Sequence, residues 1–445
     1  MTILKSLILL SFLSPAFVYS AYFESHSAKS DSMGKTFVSL GNDTAASEIN
    51  PAGIVQIEGP EAGISILSRN QKNVSAGANA GINNFESKNV SNWKEVFSDT
   101  KEITSKTMRL QSFNLVLPFV GFAISTNIYQ TSQYKYNLSI GGGEYINTSI
   151  INTTADWQRT ITVPHLNNEY LISEQFVPTV SIATEISPEI LIGISFKSIP
   201  VGEIYFVNKF PENEWQTYEW LDKSGKYNIP LPARLPMWFE SKKTYGWTIG
   251  TICKPLLNLS FGVTYKWVNP VDMKLTDWEK RELDNPTTTY VSGNSKYTYR
   301  YYPITSDFNL KLPQHIACGF SYKPDDNLTL ATQVNWIDYS SLDWDTNDEW
   351  TYSNATEYHF GIEYSFDLEL FYLPVRLGFY NEPYDQDFYA GNNSTMRNKY
   401  GKLNDKYSLT CGLGITREQW SFDISFDFEL EGKKTDIYFT PVFYF

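Results

Sequence analysis

The stretch from Gln419 to Phe445 alternates with period two. Phe422, Ile424, Phe426, Phe428 and Leu430 fall on one face, and Ser421, Asp423, Ser425, Asp427 and Glu429 fall on the other. Side chains alternate across a strand, so the segment predicts a strand with one wholly apolar face and one charged face. After the short break 431–434 the pattern resumes with Ile437, Phe439, Phe443 and Phe445. A soluble antiparallel sheet also has an apolar face, but it would not aim a row of carboxylates at the protein interior. Apolar outside and polar inside, about ten residues at a time, marks a transmembrane β-barrel.

The same reading predicts about fourteen strands, at roughly 61–69, 107–118, 119–130, 169–186, 189–199, 241–253, 258–269, 305–322, 327–339, 356–367, 371–380, 405–417, 419–431 and 435–445. Leu259, Phe261, Val263, Tyr265 and Trp267, for example, oppose Ser260, Gly262, Thr264 and Lys266. Short turns near Pro118, Pro188, Pro255, Pro324, 367–370 and Glu418 alternate with long polar connections rich in Tyr and Trp. Those connections fall at 70–106, 131–168, 200–240, 270–304, 340–355 and 381–404. Short turns at one end and long loops at the other are the plan of a single-chain outer-membrane barrel. The even count lets the last strand pair with the first and leaves no open edge. The fold class is therefore all-β, a transmembrane antiparallel β-barrel.

Residues 1–20 read as a secretory signal peptide, with Lys5, an apolar run from Leu7 to Phe17, and Ser20 before Ala21. Residues 21–60 lack alternation and carry small and turn-forming residues, which predicts a compact hatch or plug ahead of a barrel spanning 61–445. Within it, Asn50 before Pro51 starts a turn, followed by Ala52 and by Gly53, which permits positive φ. No later run approaches the roughly eighteen apolar residues of a helical span. Forty-nine acidic against thirty-six basic residues give a net charge of −13, which argues against a nucleic-acid partner. Cys253, Cys318 and Cys411 are far apart and on apolar parity, as packing or lipid-facing residues rather than a disulfide or metal set.

Three stretches resemble the FadL/TodX family of outer-membrane transport proteins, which carry long-chain fatty acids and other hydrophobic molecules. They are Asn50-Pro51-Ala52, the run from Leu312 to Leu330 leading to Trp336 and Tyr339, and Pro374 to Tyr380 followed by the aromatic terminus. The Asn-Pro-Ala motif is shared with the related barrels of type IX secretion. The resemblance implies a fourteen-stranded barrel plugged by a small hatch, with an inward kink in the third strand that opens the wall sideways. The segment 119–130 has Gly121 near its start but no glycine or proline in its middle to mark such a kink.

No nucleophile, zinc or phosphate-loop motif occurs, so no catalytic residue, metal or cofactor is expected and the chain does not read as an enzyme. Lys197, Lys266 and Arg376 have inward parity. Each is placed either to meet a carboxylate ligand or to pair with inward acids such as Glu363, Asp423, Asp427 and Glu429. His315, Asn335 and His359 also face inward, about eight residues from their turns on three successive strands, and predict a polar belt. Phe206, Trp215, Trp220 and Trp238 in the loop 200–240 form a candidate apolar landing surface, or else pack within the loop. The expected function is a monomeric outer-membrane channel for passive uptake of long-chain fatty acids or other hydrophobic molecules, with lipid as its surroundings. The alternative is a barrel like the type IX secretion shuttle, binding exported proteins through its loops.

Overall fold

The computed structural model describes residues 27–74, 102–130, 134–140, 143–152, 155–163, 166–172, 176–199, 203–209, 215–220, 225–230, 234–282, 288–292, 295–339, 350–352, 354–384, 387–389, 404–430 and 434–445. The signal-peptide reading of 1–20 and the first residues of the expected hatch fall outside them.

Fourteen strands close into an antiparallel barrel. In chain order they are β1 (Glu61–Val74), β2 (Glu102–Phe119), β3 (Phe122–Gln130), β4 (Phe176–Ser187), β5 (Ile190–Ile199), β6 (Thr244–Leu256) and β7 (Leu259–Val268). There follow β8 (Gln314–Tyr322), β9 (Leu328–Asp338), β10 (Ala355–Asp367), β11 (Tyr372–Tyr384), β12 (Asn404–Arg417), β13 (Trp420–Glu429) and β14 (Lys434–Tyr444). Each pairs with the next, and β14 returns to β1. The closing seam is pinned by Arg69, whose Nε and Nη2 donate to the two carboxylate oxygens of Asp436, its register partner, at 2.9 and 2.8 Å. A bidentate, charge-assisted pair of this kind fixes register as well as adding energy.

Alternation places the polar set inside. On β13, Ser421, Asp423, Ser425, Asp427 and Glu429 are buried while Trp420, Phe422 and Phe428 are exposed. The outer wall is apolar all round, with Phe113, Ile124, Ile182, Ile192, Val263, Val334, Phe360, Leu377 and Leu409 among its exposed residues. A soluble barrel would reverse this arrangement. Only a hydrocarbon solvent makes it favourable, because each backbone polar group is satisfied in the closed ladder and the exposed area is apolar.

Two predicted strands are corrected. The segment 169–186 is a wall strand only from Phe176, and 305–322 only from Gln314. Their first halves, Leu166–Ile172 and Ser295–Leu310, belong to a separate seven-stranded sheet. That sheet also holds Tyr134–Ile140, Glu203–Lys209, Arg234–Ser241, Val271–Glu282 and Thr288–Ser292. Six of its strands keep the neighbour order of β3 to β8, so the wall continues beyond a line of breaks at its long-loop end. Pro270 and Pro313 stand in two of those breaks, and proline has no N–H to give to a ladder. The long connections are thus partly strand, as their Thr, Tyr and Trp content favours.

Candidate functional site: the barrel lumen

Residues 27–58 lie inside the barrel, toward the short-turn end. They form a helix α1 (Ala28–Ser32), a helix α2 (Ala46–Ile49) and a 3-10 helix over Pro51–Gln56. Ser27 caps α1, accepting from the Ser30 amide at 3.0 Å. Asn50 caps the 3-10 helix by accepting from the Ala52 amide, and Pro51 occupies its first turn, where a missing N–H costs nothing. Asn50 Nδ2 also donates to the carbonyls of Val38 and of Thr251 on β6, at 2.6 and 3.1 Å. The motif therefore caps, turns and anchors at once.

The wall receives this hatch on glycines. Gly193 pairs with Gly250, Gly262 with Gly319, and Gly361 with Gly378 across adjacent strands. All six lie three to six residues from the short-turn end. A Cβ at Gly193 would strike the backbone of Pro51 and Ala52, one at Gly262 the carbonyl of Val38, one at Gly378 the backbone of Gly34. The hatch backbone approaches the wall where no side chain intervenes. This belt was missed in the sequence, although glycine at inward parity inside a strand is a signal of close backbone approach.

Above the hatch the side of the lumen formed by β5 to β8 is basic. Lys197 on β5, Lys266 on β7 and His315 on β8 are all buried and inward. Lys266 stands opposite both Thr248 of β6 and His315 in the ladder. Lys197 Nζ lies 3.6 Å from Glu48 Oε2 of the hatch and 5.8 Å from the ring centre of Tyr129. The buried hydroxyls of Thr179 and Thr248 beside these cations have no hydrogen-bond partner among the described residues. Buried apolar residues are interleaved with these bases, Val268 being level with Lys197 across Gly246 and Ile337 level with His315. Ile199, Val268 and Ile337 follow Lys197, Lys266 and Asn335 on their strands, and Val271, Met273 and Leu312 continue beyond, all buried. Above the hatch the lumen thus carries a basic tier interleaved with apolar residues that continue toward the long-loop end.

No family model and no curated protein matches the chain. Solved structures do. A Pseudomonas aeruginosa FadL homologue matches at 12% identity over 95% of this chain and 99% of its own, with TM-score 0.52. The P. putida toluene transporter TodX matches at 11% identity, 95% and 99% coverage and TM-score 0.53. The Ralstonia pickettii toluene transporter TbuX matches at 13% identity, the same coverage and TM-score 0.51. The chain has the FadL/TodX barrel fold.

Within that fold the expected site residues separate into groups. Asn335 and His359 meet, with Asn335 Nδ2 2.9 Å from His359 Nε2 and donating to Glu357 Oε2 at 2.8 Å. His359 Nδ1 lies 2.9 Å from the Gly34 carbonyl, and Gln333 Oε1 accepts from the Phe37 and Val38 amides. These residues grip the hatch. The Gly34 carbonyl can only accept, so His359 donates to it from Nδ1, while Nε2 faces both Asn335 and Glu357. In the ladder Asn335 is level with Ala317, so His315 sits two residues farther from the hatch-side turn, nearer Lys266. Arg376 is held by Glu363, at 2.5 Å from Nε, and by Asp423. Phe206 and Trp238 lie on strands of the seven-stranded sheet, and Trp215 and Trp220 on a four-stranded sheet. Their side chains are outside the described residues.

The kink implied by the resemblance does not form. The ladder runs without a register shift from Ser112–Tyr129 to Phe119–Phe122 on one side of β3 and from Phe122–Thr184 to Gln130–Phe176 on the other. No sideways opening exists beside β3 among the described residues. With neither Gly nor Pro in its middle, β3 has nothing to break the ladder.

Proposed function

We propose that the protein is an outer-membrane channel for hydrophobic molecules, and that its lumen favours amphiphiles with an anionic head and an apolar body, long-chain fatty acids being the simplest. The observation that carries this reading is the juxtaposition of buried apolar residues, from Met273 to Ile199 and Val268, with the buried bases Lys197 and Lys266 above the hatch. An amphiphile entering from the long-loop end meets apolar surface first. Its carboxylate then reaches buried ammonium groups, where a charge-assisted hydrogen bond is stronger than in water. The unpartnered hydroxyls of Thr179 and Thr248 offer further donors. Solved barrels of the same fold include toluene transporters, which supports a hydrophobic cargo in general. The apolar outer wall and the alternating turn lengths support residence in the bacterial outer membrane.

Proteoliposomes containing the folded protein test this reading with two cargoes, a labelled long-chain fatty acid and toluene. Lys266→Met keeps the length of the side chain and removes its charge. Fatty-acid uptake should fall about tenfold, the loss of one charge-assisted hydrogen bond, while toluene uptake stays unchanged. Uptake of both cargoes at the rate of protein-free liposomes would refute the channel. Unchanged fatty-acid uptake in the variant would refute the role of the basic tier.

A further inference from the structure

The outer face of the wall carries a feature that the lumen does not explain. Outward side chains of β3, β4, β5 and β6 enclose a groove of about 440 Å³ lined by Ile124, Val180, Ile182, Ile194, Phe196 and Trp247. It arises because the small Thr126 and Val180 stand in register beside the larger Phe196. Phe196 and Trp247 close its upper end, with ring centres 4.7 Å apart. Above them Phe196 stacks on Tyr245 at 5.4 Å, and Lys243 Nζ lies 5.4 Å over the Tyr245 ring. Lys242 stands beside Lys243 at the break between β6 and the outer sheet. It reaches Asp272 Oδ2 at 3.3 Å, and Asp272 Oδ1 accepts from Asn309 at 3.0 Å. Both members of the Lys242–Asp272 pair are more than half exposed, so it binds weakly.

We propose that this column is a binding site for one phosphate-bearing membrane lipid of the leaflet at the long-loop end. The aromatic residues Phe196, Tyr245 and Trp247 occupy the level at which such rings mark a membrane interface. Lys242 and Lys243 lie directly beyond them, where lipid phosphates are found. Lys243 Nζ lies 5.4 Å over Tyr245, whose ring is 5.4 Å from that of Phe196, so the ammonium group stands two ring contacts above the groove. That offset suits a phosphate on the lysines with its acyl chain laid in the groove. An unphosphorylated lipid would satisfy the groove alone and offer nothing to the weakly paired Lys242 or to Lys243. A free phosphate would leave the groove empty.

The test uses the folded full-length barrel in a neutral detergent, titrated with dipalmitoyl phosphatidic acid and followed by native mass spectrometry. Dipalmitoylglycerol supplies the chains without the phosphate, and glycerol phosphate supplies the phosphate without chains. One equivalent of phosphatidic acid should bind at least about tenfold more tightly than either control. The double variant Lys242→Gln, Lys243→Gln should weaken it about twenty-fivefold, from about fivefold for each lysine. Val180→Trp, which fills the groove from an exposed position, should weaken it as well. Glycerol phosphate binding as tightly as the lipid would overturn the proposal in favour of an anion site. Undiminished lipid binding in either variant would overturn it outright.

Discussion

Asn50 of the hatch donates its side-chain amide to the main-chain carbonyl of Thr251 on the wall, 3.1 Å away. The neighbouring Gly250 gives it room, since any Cβ there would overlap the Asn50 side chain. One residue therefore ends α2, starts a 3-10 helix and ties the hatch to the barrel. Asn50→Ala should cost about 1 kcal/mol for the cap and a similar amount for the lost wall contact. A protease added to the folded protein should then cut the hatch faster while the barrel keeps its heat-modifiable gel mobility. Equal cutting rates would show that Asn50 does not hold the hatch.

Removal of residues 27–58 should leave a closed barrel, because the ladder begins at Glu61 and β1 pairs with both its neighbours without the hatch. The lumen would lose the segment that fills its short-turn end. Liposome swelling in small sugars should accelerate. A truncated protein that fails to show the gel shift would mean that the segment is needed to fold the wall.

The hatch should seat more firmly in acid than at neutral pH. Asp31 is fully buried, and burial, then the nearby Asp427, hold its carboxyl well above the ordinary value of 3.8. Lys35, the Ser425 hydroxyl at 2.7 Å and Asp436 also face it. Asp43 is raised as well, mainly by burial. A carboxyl whose pKa is raised in the seated state contributes stability that is full below its ordinary pKa and lost as pH rises through the raised value. Lys35 acts only at the alkaline end. Burial works to lower it, but Glu382 above all keeps its ammonium well above 10.5, so it stays charged across neutral pH. Protease resistance of the hatch should therefore decline as pH rises above the usual carboxylate range. Asp31→Asn should flatten that decline, and an unaltered slope would exclude Asp31 as its source.

Arg376 bridges Glu363 of β10 and Asp423 of β13, reaching past Gly414 of β12, where a Cβ would meet the Asp423 carboxylate. Arg376→Met should destabilise the barrel by about 3 kcal/mol, because it leaves the buried Asp423 and the partly buried Glu363 without their cation. The temperature at which the gel shift is lost should drop. The triple change that also replaces Glu363 and Asp423 with Gln and Asn should recover much of the loss, since no charge is then left unpaired.

The wall was legible in the chain because its information is local. Lipid outside and polar lumen inside impose the period-two code on every strand, so Phe422 to Leu430 and Leu259 to Trp267 declare their faces without any neighbour. The turn lengths declared which ends were which. Strand limits were read less well at 169–186 and 305–322, where alternation runs straight through a break and continues into a second sheet; only pairing separates Phe176 from Ile172 and Gln314 from Leu310. The lumen was decided by tertiary structure. Inward parity put Lys197, His359 and Arg376 on the right face, but what each meets depends on which residues the hatch and the barrel shear bring opposite. Lys197 found Glu48, His359 found Gly34, and Arg376 found Glu363 and Asp423, contacts spanning 149, 325, 13 and 47 residues of chain. A periodic pattern encodes direction from the backbone; it carries no record of height or of partners that arrive from distant sequence.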